Sequence, residues 1–127
     1  MLRKQLANAR NEVGFDLADF QSVIAEWRRR KFGPHVANGH QPLIGIMEEL
    51  GELSHAHLKG EQGIKHAPEE IVRQKIDAIG DILVFMCGYC DSQNLSLSDC
   101  AKAAWEEIKD REYKKIDGGA LKTEVSE

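Results

Sequence analysis

The chain has no apolar window approaching the length of a membrane span. Its amino terminus, Met1-Leu2-Arg3-Lys4-Gln5-Leu6-Ala7-Asn8, carries positive charge without the apolar core of a signal peptide. Both absences point to a cytoplasmic protein. Cysteine is scarce and odd in number, three residues, which suits a reducing compartment better than a disulfide framework. Basic excess is lacking too. A formal net charge of −4 argues against a bare electrostatic nucleic-acid binder, which would carry a basic face. No stretch alternates as a strand would, and no repeat is evident. What remains is an ordinary globular composition, 42% apolar and 30% charged in 127 residues. That reads as one domain, long enough to bury about two-thirds of its unfolded surface.

Helical spacing organises most of the chain. Residues 1 to 13 are a polar lead-in. From Asp16, the positions Leu17, Phe20, Val23, Ile24 and Trp27 predict a first helix over about 16 to 31. Arg28-Arg29-Arg30-Lys31 closes it, where cations suit the negative end of the macrodipole; the run could bind phosphate but reads first as a solvated helix end. Phe32 to Gln41, rich in breakers, is a loop. Beside an acidic site it could cover a base, with Trp27 or Phe32 stacking and His35 or His40 donating a hydrogen bond. Pro42 suits the first turn of a second helix reaching about Lys59, with Leu43, Ile46, Met47, Leu50, Leu53 and Ser54 as its buried stripe. Gly45, Glu48, Glu49, Glu52 and Ala56 form an adjacent one. After a connection over 60 to 67, Pro68-Glu69-Glu70 opens a third helix ending near Cys90 or Asp91. Ser96-Leu97-Ser98-Asp99 resembles a capping box for a fourth, with Leu97, Cys100, Ala101, Ala104, Trp105 and Ile108 buried, running to about Lys115. The tail over 117 to 127 should be loose. The expected fold is all-α, an antiparallel four-helix bundle.

Acids are where the pattern departs from an ordinary helix surface. On a helix, Glu49 and Glu52 lie about 60° apart, Glu48 and Glu52 about 40°, and Asp77 and Asp81 about 40°. Each of two neighbouring helices thus shows an acidic stripe. Asp81 stands inside Ala78-Ile79-Gly80-Asp81-Ile82-Leu83-Val84-Phe85-Met86-Cys87-Gly88-Tyr89-Cys90, apolar on every side, so this helix should be largely buried. A carboxylate there is costly unless paired or bound to a metal. A divalent cation shared with Glu49 and Glu52 is the sensible partner, and oxygen-only donors suit Mg²⁺ or Mn²⁺.

Glu48-Glu49-Leu50-Gly51-Glu52-Leu53, then Gln62-Gly63-Ile64, then Asp77-Ala78-Ile79-Gly80-Asp81-Ile82-Leu83 resembles the MazG-like superfamily of all-α nucleotide pyrophosphohydrolases, whose pattern is Glu-x-x-Glu, a spacer, then Glu-x-x-Asp. The likeness runs from about Trp27 to Tyr113. It implies metal ligands at Glu49, Glu52 and Asp81, with Glu48 as the extra acid of the first motif. Where the family has Glu, this chain has Ala78, and the acid stands one residue earlier, at Asp77, which is then a metal ligand bound less directly or through water. The resemblance implies Mg²⁺-dependent hydrolysis of a nucleoside triphosphate to the monophosphate and pyrophosphate, in a homodimer or homotetramer. Glu48 is then the candidate base for the attacking water. Lys59, Lys65, Lys109 and Arg111 are candidates for gripping phosphate oxygens. The phosphoribosyl-ATP pyrophosphohydrolases are similar in the same motifs.

Two readings of other kinds compete. Cys87-Gly88-Tyr89-Cys90 could be a dithiol pair or, with Cys100 and a histidine, a zinc site, although it closes a helix rather than following a strand. His55 and His57 stand about 200° apart on a helix, so they cannot share an ion; one should be exposed and the other near the core. Alternatively the chain is a helical oligomeric interaction module without chemistry, its apolar third helix covered by other copies.

Overall fold

The computed structural model describes residues 16–33, 38–115 and 121–125. His35 and the lead-in over 1 to 13 lie outside them. The described residues form four α-helices and one pair of short strands. They are α1 (Leu17–Phe32), α2 (His40–Gln62), α3 (Pro68–Ser92), α4 (Leu97–Ile108), β1 (Glu112–Lys115) and β2 (Leu121–Val125). No described helix is long and apolar enough to cross a membrane. The chain divides into two compact units, Met1–Leu97 and Ser98–Glu127, where the sequence reads as one domain.

Local chemistry sets the helix ends of the first unit. Asp16 caps α1, its side chain accepting from the Asp19 N–H at 2.8 Å. Gly33, at φ 86°, ends the helix by donating its N–H to Arg29 O at 2.9 Å. Helix α2 begins at His40, two residues before Pro42, because Asn38 Oδ1 accepts the His40 N–H at 2.6 Å. It ends at Gly63, in the left-handed region at φ 68°. Gln21 ties α1 to the segment that follows α3: its Nε2 donates to Leu95 O at 2.9 Å, and its Oε1 accepts the Leu97 N–H at 2.7 Å.

Helices α2 and α3 form an antiparallel hairpin held by small residues. A Cβ placed on Gly39 would meet Gln93 Nε2 at 2.7 Å, one on Gly45 would lie 2.6 Å from the Phe85 ring, and one on Gly60 would lie 3.2 Å from Ile71 Cγ2. The chains therefore run in opposite directions, as a short connection requires. Helix α1 packs on α3 antiparallel, with the Arg28 guanidinium against Gly88 and Arg29 Nη1 3.5 Å from Asp91 Oδ2.

This packing corrects the expected inward face of α2. Gly45 and Ala56 are buried and Glu49 is partly covered, whereas Leu43, Met47 and Leu50 are exposed. On α3, Ala78, Cys87, Gly88 and Cys90 face inward, while Ile76, Ile79, Leu83 and Met86 are exposed. Close approach of two backbones needs small side chains at the contact, so the stripe of small residues packs inward and the larger aliphatics stay outside. His55 and His57 are both exposed, so neither is near the core.

The second unit departs from a continuous fourth helix. Helix α4 ends at Ile108, and Glu112–Lys115 pairs antiparallel with Leu121–Val125, Glu112 opposite Val125 and Lys114 opposite Thr123, with a register shift after Lys114. Residues 121–125 are thus a strand rather than loose tail. Of the expected buried stripe of α4, Leu97 is half-buried and the others are exposed, Trp105 at 58% and Ile108 at 44%.

Candidate functional site

Where α1, α2 and α3 meet, a cavity of about 360 Å³ opens. That volume lies in the range of small-molecule sites. Two of the expected metal ligands line it from different helices, Glu49 from α2 and Asp81 from α3. Trp27 and Phe32 supply an aromatic wall from α1, packed edge to face with centroids 5.9 Å apart and planes at 88°. Phe85, pressed onto Gly45, lines the cavity from α3. Gln41, Pro42 and Val84 complete it with Arg28.

Glu49 is the stressed carboxyl of the group. Its Oε1 is buried and accepts no hydrogen bond. Burial first, then the charges of Glu52, Asp81 and Glu48 and a hydrogen bond with Glu52, push its pKa above the ordinary value of 4.5. Asp81, in contrast, is exposed, and no ion pair engages it among the described residues. The desolvation argument made for Asp81 from its apolar surroundings therefore moves to Glu49. Helix α3 is not buried on all sides: Ile79, Gly80 and Asp81 open outward, while Ile71, Ala78, Cys87, Gly88 and Cys90 are covered.

Glu52 and Asp77 line a second cavity, of about 370 Å³, with His55, His66, Arg73 and Gln74. Asp77 is already held there: Arg73 Nη1 donates to its Oδ2 at 2.7 Å. The same guanidinium grips Glu70 through Nε at 3.1 Å and through Nη2. These bonds, with one from Gln74, hold the Glu70 carboxyl down at about 2. Glu48 is exposed and lines neither cavity. Among the described residues no three His, Cys, Asp or Glu side chains converge as a metal-binding group.

The fit to a hard cation rests on chemistry. An orphaned, charge-repelled oxygen on Glu49 has Asp81 across the same cavity and Glu52 beside it, and all three offer only oxygen.

The weaker substrate contacts separate. Trp27 is in the cavity wall, 37% exposed. Lys59 Nζ donates to Gln62 Oε1 at 3.2 Å and lines a different cavity near Pro68. Lys65 is exposed in the α2–α3 turn with φ 79°. Lys109 pairs with Glu106 at 2.8 Å and Arg111 with Glu107 at 3.9 Å, both in the second unit. The residue that sequence reasoning passed over is Arg28. Of the run Arg28 to Lys31 it alone is buried, 9% exposed, and it lines the cavity, so it is not part of a solvated helix end. Its spacing carried the signal: Arg28 falls three residues after Ala25, the other buried position of α1.

A larger cleft, of about 630 Å³, lies between α1 and the end of α3 and includes Gln21, Ser22, Glu26, Arg29 and Asp91. Its charges are matched by the Arg29–Asp91 pair and by Arg30 on Glu26 at 3.9 Å.

Cys87 and Cys90 are buried, and burial, with the neighbouring Cys90, pushes the Cys87 thiol up to about 11. At neutral pH a thiol reagent should modify the exposed Cys100 within minutes and leave Cys87 and Cys90 until the chain is unfolded. Rapid modification of all three in the folded protein would revive the dithiol reading. Compared with protein-family models, curated proteins and solved structures, the chain matches none.

Proposed function

We propose that the chain is a Mg²⁺-dependent nucleoside triphosphate pyrophosphohydrolase that releases the nucleoside monophosphate and pyrophosphate. The observation that carries this reading is the pairing of a desolvated, unsatisfied Glu49 with Asp81 in one cavity walled by Trp27, Phe32 and Phe85. Acids alone would be a solvated surface, and aromatics alone would be core. Together they match a ligand with a flat apolar end and an anionic end that arrives with a cation.

Glu49, Glu52 and Asp81 would hold Mg²⁺, or Mn²⁺, whose charge would offset their mutual repulsion. Bound there, the ion supplies the positive charge that this acidic chain lacks and lowers the pKa of water. Trp27 and Phe32 stack the base and exclude solvent from one side of the cleft. Glu48, next to the ligands in sequence, would take the proton of the attacking water at one of its carboxylate oxygens. Asp77, gripped by Arg73, supports the site from the second cavity.

The exposed aliphatics on α2 and α3 support a homodimer or homotetramer, since so many large apolar side chains are rarely left to water. A MazG-like four-helix architecture belongs to the same proposal.

The test is a panel of nucleoside triphosphates, assayed for pyrophosphate with and without Mg²⁺. Release that requires the ion, with at least one triphosphate turned over, is expected. Orthophosphate as the product would overturn the reading in favour of a different phosphohydrolase, and no turnover of any triphosphate would overturn it in favour of an interaction module.

A further inference from the structure

We infer that Arg28 reads the edge of the base, and that the cavity takes nucleotides whose base offers a carbonyl oxygen beside an unprotonated ring nitrogen, as guanine does with O6 and N7 and cytosine with O2 and N3. This deepens the nucleotide reading and rests on it.

The starting point is an uncompensated cation. Arg28 is 9% exposed and lines the cavity, yet among the described residues no hydrogen bond or ion pair engages its guanidinium. The side chain is covered, yet its nitrogens still touch solvent where it lines the cavity, so their donors are open to a ligand there. Its position is fixed by Gly88: a Cβ there would lie 2.9 Å from Arg28 Cζ and 3.0 Å from Nε and Nη1. Only glycine lets the planar group lie flat against α3.

Position then decides between two ligands for a guanidinium, phosphate and base. Gly88 follows Asp81 by seven residues, so Arg28 sits about 10 Å along α3 from the acid end of the cavity. Phe85 lies between them, four residues after Asp81. A phosphate held by a cation at Glu49 and Asp81 is too far for direct contact. The distal edge of a base stacked in the aromatic middle is within reach. A guanidinium has five donors and no acceptor, so it satisfies adjacent acceptors bidentately. Adenine sets an amino donor in that place and would leave the charge buried and unmatched, the situation in which polar sites discriminate most strongly.

Binding of GMP, CMP and AMP in the absence of Mg²⁺, followed by Trp27 fluorescence and by calorimetry, tests this apart from turnover. GMP and CMP should bind at least tenfold tighter than AMP. Arg28→Lys keeps the charge but loses the fork and should flatten the preference to within threefold. Gly88→Ala leaves Arg28 in the sequence but displaces its guanidinium, and should do the same. Equal binding of all three by the natural chain, no saturable binding of any, or a preference unchanged in both variants would overturn the inference. A base preference that disappears in the variants, in a protein that releases no pyrophosphate, would uphold this inference and sink the proposed reaction.

Discussion

Asp81→Asn is expected to lower Mg²⁺-dependent pyrophosphate release by about a thousandfold while leaving the helical circular dichroism and the melting temperature nearly unchanged. The size follows from charge. A ligand carboxylate that helps a cation offset transition-state charge contributes several kcal/mol, and each 1.4 kcal/mol is about tenfold in rate. The structural half of the expectation follows from exposure. Asp81 is exposed, and no ion pair engages it among the described residues, so its replacement falls among surface changes of about ±0.5 kcal/mol. Asp77→Asn is the matched control. It breaks the Arg73 contact but leaves the aromatic cavity intact, and should cost about tenfold or less. Full activity in Asp81→Asn, measured as initial rates at saturating Mg²⁺, would remove the catalytic account.

Glu49→Gln should act oppositely on stability and on metal response. The carboxyl pKa of Glu49 is raised from 4.5 by folding, so from that pH up to the raised value the folded chain holds more protons than the unfolded one. Stability without metal therefore falls as pH rises through that window and is greatest on its acid side. Gln removes the charge, so the variant should melt a few degrees higher than the natural chain at neutral pH, with a flatter pH profile. Mg²⁺ reverses the order. At about 100-fold over its dissociation constant an ion that binds only the folded state adds about 2.7 kcal/mol. For a domain of this size that is about ten degrees in Tm, and Glu49→Gln should lose most of it. Thermal scans from pH 4 to 8, with and without Mg²⁺, decide the matter. A variant that keeps the full metal shift would show that Glu49 holds no ion.

Both expectations depend on which face of each helix turns inward, and the sequence was least legible there. The helices themselves were plain: Asp16, Pro68 and the apolar spacing placed α1, α2 and α3 to within two or three residues. Helix α2, however, carries two stripes of similar width, and hydrophobicity favours Leu43, Met47 and Leu50. Packing chose Gly45, Glu49 and Ala56 instead, because Phe85 needs the space that only Gly45 leaves. That choice depends on the partner helix and is invisible in either helix alone. The same limit hid Arg28, whose burial is caused by Gly88, sixty residues away. It also transferred the desolvated role from Asp81 to Glu49. The acidic stripes survive as a pair only at Glu49 and Asp81, since Arg73 draws Asp77 into a separate cavity. The end of α4 was misread for a different reason. Charged residues from Glu106 to Lys115 fit a helix, and the turn-forming Asp117-Gly118-Gly119 reads equally as a helix stop or as the link between two strands.

Among the described residues the α1 backbone approaches α3 closely and does not approach α2. The layer bearing Trp27, Arg28 and Phe32 is thus held along one edge of the α2–α3 hairpin, which carries both carboxylates by itself. A molecule filling the cleft would touch both layers, so its binding and the hold of α1 on α3 are coupled. Tightening either must tighten the other by the same free energy.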